Sequence, residues 1–103
     1  MFAIATDEHV LYMFRTEADA IDYCEGPDVE SGVWQFFDHS GTPLEPVFSE
    51  PVKRSALSVT QGRYALRPVP GVSLIERLAE IEAVEGFGVM RSIDDVHRLL
   101  TTH

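Results

Sequence analysis

Residues 32 to 38, GVWQFFD, restrict the possible folds more than any other stretch of this chain. An extended backbone sends alternate side chains to opposite faces, and here both faces carry apolar groups: Trp34 and Phe36 on one, Val33 and Phe37 beside Gln35 on the other. A strand of that kind belongs in the interior of a sheet. Helices over one face are enough to bury Trp34 and Phe36, which leaves Phe37 as the less constrained ring. At 103 residues, with 45% apolar side chains, the chain is expected to form one domain over residues 1 to 103.

The other elements are read around this strand. HVLYMF, residues 9 to 14, is rich in strand formers, and MFAIA ahead of Asp7 and Glu8 is expected to pair with it as an edge strand. Thr16 with Asp19 makes an imperfect capping box and Gly26-Pro27 reads as a stop signal, so a helix is expected over residues 17 to 25. At helical spacing Ala20, Ile21, Tyr23 and Cys24 share its buried face, and Asp19, Asp22 and Glu25 its solvent face. LEPVFSE, residues 44 to 50, is a strand interrupted by Pro46, hence at an edge or bulged. SALSVTQGRYALRPV, residues 55 to 69, reads as a hairpin turning at Gln61-Gly62, with Arg63 and Arg67 directed outward if Tyr64 and Leu66 point in. From Ser73, boxed with Glu76, the period becomes helical to about residue 85, where Gly86 and Gly88 end it. Residues 89 to 91, VMR, are a short strand or a linker, and Ser92 with Asp95 caps a last helix whose apolar face is Ile93, Val96, Leu99 and Leu100. The expected order is β-α-β-β-β-β-α-α, an α+β fold of about five mainly antiparallel strands with one N-terminal and two C-terminal helices.

Chemistry-bearing motifs are sparse. There is no glycine-rich phosphate loop, no CxxC and no HExxH. Among His9, His39, His97 and His103, only His97 has a carboxylate at helical contact spacing, Asp94, and a solvated surface pair accounts for it. Asp38-His39-Ser40 contains the residue types of a triad, but neighbours in a turn diverge, and turn chemistry with Gly41 explains them better. Asp22, Asp28 and Glu30 match no calcium loop. No catalytic residue, metal or cofactor is therefore expected. The lone Cys24, the absence of a basic leader and the lack of any long apolar run point to a cytoplasmic chain without a membrane partner.

Charge supplies the functional reading. Residues 1 to 50 hold eleven acids and one base, Arg15, whereas residues 51 to 103 hold six acids and seven bases. Such a surface repels phosphate, so nucleic acid is excluded even though Trp34, Phe36 and Phe37 are ring types that stack bases. It attracts a basic protein, and the clustered acids Glu17, Asp19, Asp22, Glu25, Asp28 and Glu30 are the expected contact surface.

In its small size, acidity, α+β order and lone cysteine the chain resembles the bacterial immunity proteins that neutralise contact-dependent or secreted toxins. DAIDYCEG, GVWQFFD and GTPLEPVF resemble stretches of small bacterial proteins. The resemblance implies an antitoxin without catalysis that binds its toxin tightly, and a nuclease toxin with a basic cleft would meet the acids as mimics of phosphate. Two alternatives stand beside it. One is a homo-oligomeric regulatory or assembly module joined through Trp34 and Phe36 on an uncovered sheet face. The other is a small ligand-binding protein or enzyme using His39 or His97.

Overall fold

Every side chain from Phe2 to Ala5 is buried. Because alternate residues of a strand face opposite ways, burial at every position requires cover on both sides of the sheet. In the computed structural model, which describes residues 1–86 and 92–101, this segment is interior. The chain runs through β1 (Phe2–Ala5), β2 (Val10–Met13), α1 (Glu17–Tyr23), α2 (Gly26–Glu30), β3 (Trp34–Phe37), β4 (Pro43–Glu50), β5 (Lys53–Arg54), β6 (Val59–Thr60) and β7 (Arg63–Pro68). It ends with α3 (Leu74–Arg77), a 3₁₀ turn at Leu78–Glu80, β8 (Ala83–Gly86) and α4 (Ile93–Thr101). Six strands form one sheet in the order β7-β4-β3-β1-β2-β8, and β5 and β6 form a separate ribbon. Among the described residues only β2 with β8 is parallel in the main sheet, so the fold is α+β with a mainly antiparallel sheet. Among the described residues no helix is long and apolar enough to cross a membrane.

The sheet separates two cores. Phe2, Ile4, Leu11, Met13 and Phe37 pack against Leu74, Leu78, Ile81 and Val96. On the other face Ala3, Phe14, Phe36 and Tyr64 pack against Ala20, Cys24 and Val29. Both faces are thus covered by helices, and Phe37, at 2% exposure, is buried nearly as fully as Phe36 at 1%. Trp34 is only half-buried.

Several expectations are corrected. MFAIA is not an edge strand: β1 pairs with β2 and with β3, because its unbroken apolar run needs the two-sided cover that only the interior provides. Gly26-Pro27 does not stop the helical region. It opens α2, where the missing proline amide costs nothing in a first turn, and α1 has already closed through the Cys24 amide on the Ala20 carbonyl. Gly26 is also the one residue that fits, since a Cβ there would run into the Gln61 carbonyl oxygen.

The 55-to-69 hairpin is a misassigned partner choice. β6 pairs with β5, β7 pairs with β4, and Gln61-Gly62 joins the two sheets. Burial decides this: Tyr64 packs at 5.3 Å against Phe48 of β4, whereas Leu57 and Val59 are exposed and offer β7 nothing to pack on. Pro46 sits at an irregular edge, as its missing amide requires. β4 pairs with β3 only at Pro43 and Leu44, so Pro46 lies beyond that pairing, and the ladder to β7 shifts between Phe48 and Glu50.

The helix from residue 73 is far shorter than its period suggests. It gives way after Glu80, and Val84 enters β8 opposite Leu11, because strand pairing with β2 satisfies backbone that a longer helix would leave beside a bare sheet edge. Ser73 occupies the N-cap without a side-chain cap bond. Ser92 does cap α4, its hydroxyl accepting the Asp95 amide at 3.2 Å, and Val96 is fully buried. Residues 89 to 91 lie outside the described residues.

An acidic flank beside an aromatic cluster

The candidate surface begins with the N-cap of α1. Thr16 Oγ1 accepts the Asp19 amide at 3.1 Å and fixes the rotation of a helix that buries Ala20 and, at its C-cap, Cys24 against the sheet. That rotation directs Asp22 outward with Tyr23, which is 55% exposed and not on the buried face expected of it. Phe14, Arg15, Asp19, Asp22 and Tyr23 line an open cleft of about 450 Å³. On its other side Asp22 joins Glu25, Arg63 and Tyr64 around a second cleft of about 530 Å³.

The six acids do not act as one patch. Glu17 turns to the sheet, where its Oε1 accepts the Leu66 amide at 3.2 Å and so covers part of the outer edge of β7. Glu30 is paired with Arg54 at 2.9 Å. Asp28 is exposed on α2. Asp19, Asp22, Glu25 and Asp28 have no ion-pair partner among the described residues, and of these only Asp19 and Asp22 share the Tyr23 cleft.

The basic half of the sequence folds back on the acidic half. Besides Arg54 with Glu30, Arg67 Nε meets Glu45 at 2.6 Å and Arg63 Nε meets Glu50 at 3.6 Å. The charge asymmetry along the chain is thereby concentrated: Glu45 and Glu50 of β4 and Glu30 of α2 are answered by arginines, whereas Asp19 and Asp22 of α1 are not.

Sequence reading missed the rings beside them. Tyr12 of β2 stands opposite Ala3 and Trp34 of β3 opposite Ala5, with β1 between them. The two alanines leave space above β1, and the rings lean across it to centroids 5.2 Å apart in an edge-to-face contact. Tyr23 adds itself at 5.5 Å from Tyr12 and 5.9 Å from Trp34. The available signal was the pairing of small residues at 3 and 5 with large rings at 12 and 34, but register is needed to read it. Burial chiefly, with Tyr23, Glu8 and Glu85 adding to it, pushes the Tyr12 phenol up to about 12.

Other candidate groups have structural employment. Asp38 Oδ1 accepts the amides of Ser40 and Thr42 and the Ser40 hydroxyl, the bonding of a turn. Burial opposes the charged Asp38, but these bonds and the nearby His39 outweigh it and hold its pKa below the ordinary value. His9, His39 and His97 are exposed, and His103 lies outside the described residues. No cluster of three or more metal-ligating side chains occurs among the described residues. Compared with protein families, curated proteins and solved structures, the chain matches none.

Proposed function

We propose that this chain is a non-catalytic acidic binding module, an immunity protein that neutralises a cognate basic toxin by occupying it. One observation carries the reading: Asp19 and Asp22 line the cleft beside Tyr23 without an ion-pair partner among the described residues, while Arg54, Arg67 and Arg63 are engaged with Glu30, Glu45 and Glu50. Acid beside an exposed tyrosine and its half-buried neighbours suits recognition of a cationic protein surface, where charge steers the encounter and rings supply contact area. A nuclease with a basic cleft is the proposed toxin class, and the cytosol, where such an enzyme finds its substrate, the proposed place of action.

Co-expression with a candidate toxin from a neighbouring reading frame tests the reading. The double variant Asp19→Lys with Asp22→Lys should lose protection and slow association at low salt by about tenfold or more. His39→Gln and His97→Gln should protect as the native chain does. Full protection by the lysine variant together with failure of the histidine variants would overturn both the surface and the class.

A further inference from the structure

We infer that the Tyr12–Tyr23–Trp34 surface is the partner's anchoring point and that it takes an arginine side chain, an inference that rests on the binding reading above. Three rings within 5.9 Å of one another are packed as a continuous platform, and Tyr23 leaves 55% of its surface to solvent. Tyr12 and Trp34 are half-buried beside it, and tyrosine and tryptophan are prominent among the residues that carry binding energy.

Carboxylates around the platform select the occupant. Asp19 and Asp22 share the cleft beside Tyr23 with a single cation, Arg15, and Glu85 stands opposite Tyr12 across the β2–β8 ladder, so acid outweighs base around the rings. A second copy is a poor fit, since a symmetric contact would press each acid rim against its own image. A cation is the good fit. The rings touch each other and leave no slot between them, so the cation has to lie on the platform and not inside a cage. Arginine does this best: its planar guanidinium stacks on a ring face and directs N–H groups from its edge to nearby carboxylates, whereas lysine offers a compact point charge.

Trp34 is the only tryptophan in the chain, so its emission reports on the platform directly. Titration with a hexa-arginine peptide at low ionic strength should shift that emission saturably. A hexa-lysine peptide of equal charge should bind about 2- to 5-fold more weakly, the range a surface cation–π contact supplies. Tyr23→Phe should keep the arginine preference. Tyr23→Leu should abolish it while leaving the weaker, charge-driven binding of both peptides. Equal affinities in the native chain, a preference unchanged in Tyr23→Leu, or no emission shift with either peptide overturns the platform. So does sedimentation of the free protein as a dimer that Tyr23→Leu dissociates, which would assign the rings to a second copy. The binding-module reading falls separately, through the rescue assay with Asp19→Lys and Asp22→Lys.

Discussion

At the scale of single residues, Tyr64 and Cys24 join the sheet to the first helical layer. The Tyr64 hydroxyl donates to the Cys24 carbonyl at 2.6 Å, and its ring packs between Phe36 and Phe48. Burial first, with Asp28 adding, pushes the Cys24 thiol from an ordinary 9.0 up to about 12. Burial likewise raises the phenols of Tyr64 and Tyr12 above their ordinary 10.0. In each case the folded state holds the proton more tightly than the unfolded chain. Their contribution to stability is therefore complete below the ordinary values of 9.0 and 10.0 and is lost as pH rises toward about 12. Urea midpoints should hold from neutral pH to about 9 and then fall, and Cys24→Ala should delay the fall until the tyrosines begin to titrate. An alkaline limb that is the same in both proteins would dismiss the thiol as a contributor.

For the elements, β3 makes the sharpest prediction because it is covered on both sides. Phe36→Ala and Phe37→Ala should each cost about 3 to 5 kcal/mol in denaturant unfolding, and half-buried Trp34→Ala less. A neutral Phe37 variant would mean that α3 and α4 do not cover their face as described. The interior position of β3 was legible in GVWQFFD, and Cys24, Val96, Ser92 and the outward Arg63 and Arg67 were legible in local spacing. Partner choice was not. The alternation around Gln61-Gly62 is genuine, yet β7 pairs with β4, and the helical period after Ser73 does not exclude a strand at Ala83–Gly86 once β2 offers a free edge. Such decisions are made by distant residues, so local pattern cannot contain them. The candidate site divides the same way: the acids of α1 could be read from the sequence, whereas the ring cluster required knowing that Ala3 and Ala5 lie between Tyr12 and Trp34.

Over the whole molecule, which measures 46 × 24 × 21 Å, the exposed arginine–carboxylate pairs shape the field more than they hold the fold. Arg54→Gln should change stability by less than about 1 kcal/mol. By freeing Glu30 it should also speed association with the proposed basic partner at low salt, as stopped-flow mixing would read. An unchanged rate would mean that Glu30 lies outside the steering field. The interior place of β1 has a further consequence, for synthesis. Phe2 and Ile4 are made before every other part of their core, but the residues that cover that face, Leu74, Leu78 and Val96, come last. Chains emerge from the ribosome in order, and exposed apolar surface on incomplete domains is what invites aggregation. The nascent chain therefore carries, until residues 74 to 96 have emerged, an open apolar face that the folded domain no longer has, and during that interval it presents the kind of surface that invites aggregation.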